Sequence, residues 1–90
     1  MFSERIKELR IQKQMPQRQL AAALNIDTAT YCKIEKGDRR AKRQQVEIIA
    51  GVLNIDKTEL VTLWLADKVQ ELVKHEYNAS HILSIAQKTL

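Results

Sequence analysis

The chain has 90 residues, 15 Lys plus Arg against 11 Asp plus Glu for a formal charge of +4, and 44% hydrophobic residues. That is the length and mix of one small globular domain, with no room for a second core. Two Gly, one Pro and a single Cys exclude a turn-rich β-sandwich and an internal disulfide framework, so a helical domain in a reducing compartment is expected.

Apolar spacing is helical throughout and nowhere alternates with period two. Ser3 is the expected N-cap of a first helix, with Ile6 and Leu9 facing inward. That helix should stop near Gln14, because Pro16 disfavours helical geometry at Met15. A second short helix begins at Pro16 or Gln17 and turns Leu20, Ala21 and Leu24 inward. Asn25 suits the left-handed conformation that ends many helices. Asp27 then caps a third helix, with Tyr31 and Ile34 inside, which Gly37 terminates. A fourth helix from about Arg43 to Leu53 shows Val46, Ile49, Ala50 and Leu53 at helical spacing. Asp56 and Glu59 resemble a capping box opening a fifth helix that reaches about Glu76. Asn78 or Ser80 caps a last helix, in which Ala79, Ile82, Leu83, Ala86 and Leu90 form one stripe. Neither a secretion signal nor a membrane span is visible, so a cytoplasmic location is expected.

The charge is unevenly placed. Residues 1–43 carry eleven basic and five acidic groups, a net +6, whereas residues 44–90 carry four and six, a net −2. Six cations (Lys33, Lys36, Arg39, Arg40, Lys42, Arg43) crowd into one segment against Glu35 and Asp38. Such a cluster suits a phosphate-binding face, but on its own it equally suits a solvated loop. A second signal has to decide.

That signal is the pair of short helices separated by Asn25-Ile26-Asp27, the spacing of a helix-turn-helix. The second helix reads Gln17-Arg18-Gln19-Leu20-Ala21, the third ends Lys33-Ile34-Glu35-Lys36-Gly37, and the fourth contains Ile49-Ala50-Gly51-Val52-Leu53-Asn54-Ile55. In register over residues 3–56, these resemble the Q-x-x-L-A, I-E-x-G and L-A-x-x-L-x-V motifs of the phage-repressor (XRE, Cro/CI-type) family. The resemblance implies an all-α fold: a lambda-repressor-like helix-turn-helix head of four to five helices, residues 1–56, with a C-terminal helical extension, residues 57–90. It also implies a structural ion pair between Arg10 and Glu35. Asn25 in place of the usual turn glycine, Tyr31 in place of Ile or Val, and Asp27 and Pro16 in place of Ser or Thr depart from the pattern.

In such a head the third helix enters the major groove. Its outward stripe of Thr28, Ala29, Cys32 and Lys33 is the expected base-reading set, with Lys33 suited to guanine O6/N7 and the methyls of Thr28 and Ala29 to thymine. Gln17, Arg18, Thr30, Lys36, Arg39, Arg40, Lys42 and Arg43 are the expected phosphate contacts.

The remaining features point away from chemistry. Cys32 reads as a small residue chosen for fit rather than a redox sensor. His75 and His81 with one Cys make no closed zinc site, and no nucleophile elbow is present, so no metal, cofactor or enzymatic activity is expected. The apolar surplus after Leu60 supplies an expected dimer interface of Leu65, Val69, Leu72, Val73, Ile82, Leu83 and Ala86, unless those stripes pack within one chain. The expected function is a homodimeric repressor or controller that binds double-stranded DNA. The alternative is an antitoxin-like or scaffold module that holds another protein with its C-terminal helices.

Overall fold

The computed structural model describes residues 1–90 as six helices and no strand: α1 (Phe2–Gln12), α2 (Gln17–Leu24), α3 (Thr28–Lys36), α4 (Arg43–Val52), α5 (Lys57–Val73) and α6 (Ala79–Lys88). This is the lambda-repressor-like helical architecture. No helix is long and apolar enough to cross a membrane.

Helices α1 to α5 wrap one core. Ile6, Leu20, Tyr31, Ile34, Val46, Ile49, Leu53 and Leu60 are its fully enclosed large side chains, one or more from each of the five. α2 packs against both α3 and α4, and the buried Ala21 lies on its inner face, where a short side chain lets helices approach closely.

The helix ends repeat one device. Gln14, Asn25, Gly37 and Asn54 all adopt positive φ, from 54° to 83°. In each case the following amide donates back five residues, Met15 to Arg10, Ile26 to Ala21, Asp38 to Lys33 and Ile55 to Ala50, at 2.9 to 3.0 Å. This closure satisfies carbonyls that a helix end leaves open. Three of the residues just past it, Met15, Ile26 and Ile55, pack against the core, so three of the four stop signals lead directly into a core contact.

Two expected caps are corrected. Ser3 lies inside the first turn of α1, because Phe2 is buried and carries the helix one residue further back. The Phe2 amide is satisfied at a distance, by the Asp67 carboxylate of α5 at 3.0 Å. At the start of α5, Asp56 Oδ1 accepts from the Thr58 amide at 2.9 Å, but Glu59 does not complete a capping box. Its carboxylate accepts instead from Arg5 of α1 at 3.4 Å. α5 also stops at Val73, three residues short of Glu76.

Packing of the head runs past residue 56, since Leu60, Val61 and Trp64 all belong to the core. Asp67 still holds the Phe2 amide of α1, and no residue after Trp64 belongs to the core cluster. α6 contains no buried residue. The radius of gyration is 14.7 Å, with extents of 41 × 24 × 22 Å, against about 12 Å for a compact chain of this length.

Candidate nucleic-acid interface

α3 has two faces with different duties. Asp27 caps it, Oδ1 accepting from the Thr30 amide at 2.7 Å, and Gly37 ends it at φ +83°. The inner face buries Tyr31, Ile34 and Glu35. A carboxylate at such a position needs a partner, and Arg10 of α1 supplies one. Arg10 Nε donates to Glu35 Oε2 at 2.9 Å and Nη2 to Oε1 at 2.8 Å, a bidentate pair. Arg10 Nη1 also donates to the Met15 carbonyl at 2.8 Å, and Gln17 Nε2 to Glu35 Oε1 at 3.3 Å.

Titration behaviour follows from this geometry. Burial pushes the Glu35 carboxyl up, but the hydrogen bonds led by Arg10 outweigh it and hold the pKa below the usual range. The same hydrogen bond raises Arg10. Tyr31 Oη is enclosed beside Glu35 without a hydrogen bond of ordinary geometry. Burial first, and then the neighbouring carboxylate, drive its phenol far upward, so it stays neutral.

The outer face carries Thr28, Ala29 and Lys33 exposed and Cys32 and Thr30 half-buried. Asp27 reports the charges near this end of the helix. Its pKa is lowered chiefly by the Thr30 hydrogen bonds and further by Lys33 and Arg39, whose fields both reach it. Arg18, Lys36, Arg39, Lys42 and Arg43 are exposed and form no ion pair. Pro16 precedes α2 with no side chain capping its N-terminus.

Some sequence-predicted residues are placed differently. Arg40 is exposed but engaged: Nη2 donates to the Trp64 carbonyl at 2.9 Å, and the guanidinium lies 4.5 Å from the centroid of the Trp64 ring. Its guanidinium is engaged by an aromatic face and a carbonyl while the residue remains exposed. Gln17 directs its amide to Glu35 rather than outward. Val73, expected at a dimer interface, is 7% exposed and so has no surface to offer a partner. Leu65, Val69, Leu72 and Leu83 are exposed, as is Ala86, while Ile82 is half-buried.

Sequence reasoning missed the contact between Trp64 and the segment following α3. The Trp64 indole N–H donates to the Ala41 carbonyl at 2.8 Å in a buried bond. These partners lie 23 residues apart in the chain, so no local motif announces them.

Comparison with known proteins gives a consistent result. The helix-turn-helix family model matches residues 6–60. The transcriptional repressor RstR of the cryptic phage CTXphi of Vibrio cholerae is 32% identical over 62 residues, which is 69% of this chain and 56% of that repressor. The chain thus spans about half the length of this curated relative. No solved structure matches.

Proposed function

Because the chain belongs to the phage-repressor-like helix-turn-helix family of DNA-binding transcriptional regulators, we propose that it acts as a homodimeric repressor reading a two-fold symmetric site. Family members work by binding double-stranded DNA, so the reading concerns how this chain grips it. The observation that carries it is the exposed stripe of Thr28, Ala29 and Lys33 on a helix whose opposite face is locked to α1. Half-buried Cys32 lies on the same stripe. A recognition helix must be rigid behind and open in front, and α3 is both.

In this reading Lys33 donates to a base edge, and the methyls of Thr28 and Ala29 meet thymine. Arg18, Thr30, Lys36, Arg39, Lys42 and Arg43 contact phosphates on either side. The N-terminus of α2 adds its amides and helix dipole near Gln17.

The dimer is supported by the far end of the molecule. Leu65, Val69 and Leu72 on α5 and Leu83 on α6 are exposed and outside the core. Apolar stripes left open in this way suit burial against a second copy. We place the division between DNA-binding head and dimerisation segment within α5, just after Trp64, since that side chain still belongs to the core.

Selection of bound sequences from random duplex DNA tests the whole reading. The expected product is an inverted repeat with half-sites about 34 Å apart, one helical turn. No enrichment over random sequence, with a monomer in sedimentation, would refute it and favour a tail that holds a different protein.

A further inference from the structure

The loop between α3 and α4, residues 37–42, carries or adjoins three of the free cations, Arg39, Lys42 and Arg43. Cations on a loop grip phosphates well only when the loop is held in place before DNA arrives. The loop has one buried side chain of its own, the small Ala41. At its start the Asp38 and Arg39 amides both donate to the Lys33 carbonyl, at 2.9 and 3.2 Å. At its end the Lys42 amide donates to Gln45 Oε1 at 2.9 Å. Its middle is hung on α5. The Trp64 indole donates to the Ala41 carbonyl at 2.8 Å, and Arg40 returns a bond to the Trp64 carbonyl at 2.9 Å. The Trp64 ring fills the space between, with Arg40 4.5 Å from its centroid and Lys68 5.3 Å away.

These contacts have one property in common. They join residues 40 and 41, between Arg39 and Lys42, to one residue of a different helix, through its indole and its main-chain carbonyl. We infer that Trp64 is a positioning residue for DNA binding: it fixes the loop so that Arg39, Lys42 and Arg43 meet the phosphates beside the recognition helix. The inference rests on the phosphate contacts proposed above and adds a residue outside the helix-turn-helix that sets their geometry. Arg40 belongs to the clasp, not to the grip.

The test compares DNA binding over a range of salt concentrations with thermal melting, using a duplex recovered by the selection above. Trp64→Phe keeps an aromatic ring and every charge but removes the indole N–H. The expected result is a cooperatively melting protein whose affinity falls about tenfold and whose log–log salt slope flattens by about 0.9 to 1.8, the loss of one or two phosphate contacts. A merely structural role lowers the melting temperature and leaves the slope of the folded protein unchanged. Wild-type slope and affinity in the folded variant overturn the inference.

If Trp64→Phe does not fold, Arg40→Lys carries the test. It keeps the charge at an exposed position but loses the planar group that stacks on Trp64 while reaching its carbonyl. The same flattening is expected, and a wild-type slope overturns the inference. Lys42→Ala and Arg43→Ala form a separate arm. If neither changes the slope, the loop is not a phosphate grip; Trp64 then has nothing to position, and the failure lies in the underlying reading.

Discussion

Removing Arg10 strands a carboxylate. The Glu35 side chain is 2% exposed and its two strongest hydrogen bonds come from Arg10. Breaking one partner of a buried pair costs about 3–5 kcal/mol, because the surviving charge keeps its desolvation penalty. A chain of this size has roughly 5–13 kcal/mol of total stability. Arg10→Ala should therefore lower the melting midpoint by at least about 12 °C, at about 4–8 °C per kcal/mol. The pH dependence distinguishes a stranded charge from an ordinary cavity. In the parent the folded pKa of Glu35 lies below the unfolded value. Its contribution is therefore complete above the unfolded carboxyl value of about 4.3 and is lost as pH falls through the folded value. In Arg10→Ala the burial that opposes ionisation is largely unanswered, so the folded pKa moves above the unfolded one and the sign reverses. The variant is penalised above that range and relieved as the carboxyl protonates. The stability gap between parent and variant should thus narrow from pH 7 to pH 4 in denaturant titrations. The double variant Arg10→Met with Glu35→Leu, which removes both charges, should recover most of the loss. A gap that is constant over that interval, or a double variant no more stable than the single, would refute the reasoning.

Three other outcomes are expected. Lys33→Ala should cost about 1–3 kcal/mol on the preferred site and relax choice at one base pair per half-site; identical selected sequences from variant and parent would exclude Lys33 as a base reader. Val69→Asp, at a position 45% exposed and outside the core, should leave helix content by circular dichroism intact while sedimentation shows a monomer and operator affinity collapses; a variant as dimeric as the parent would remove α5 from the interface. Gln14→Gly should raise stability by about 0.5–1 kcal/mol, because Gln14 sits at φ 56° without a side-chain reason to be there; an unchanged or lower melting temperature would show that the glutamine side chain contributes in the native state.

Legibility in the sequence tracked how local each interaction is. Asp27, Asn25 and Gly37 act on backbone within a few residues of themselves, and the third helix could be bounded from them alone. The Arg10–Glu35 pair spans 25 residues, yet the family resemblance implied it because two motifs fix its ends. The contact of Arg40 with Trp64 escaped the sequence for a physical reason. A run of cations looks uniform in sequence, and nothing near Arg40 shows that an indole 24 residues away will take its guanidinium. Ser3 was misread likewise, since the apolar burial of Phe2 and a carboxylate from α5 override its capping preference. The second half of α5 and α6 remained ambiguous because their apolar stripes obey the same periodicity whether they face the same chain or another. Val73 turned inward while Leu72, its neighbour in sequence, is 82% exposed.

The clasp around residue 64 also gives the molecule an internal light source. The chain contains one tryptophan, and its ring lies close to two cations with its N–H already engaged. Fluorescence excited at the red edge of indole absorption therefore comes from a single known place, where the loop between α3 and α4 meets α5. A shift of emission to longer wavelength would signal water reaching that junction. Its absence during partial melting of the tail would show the head still closed. Folding of the head and docking of the loop can both be followed in this one signal, in the unmodified protein and without a label.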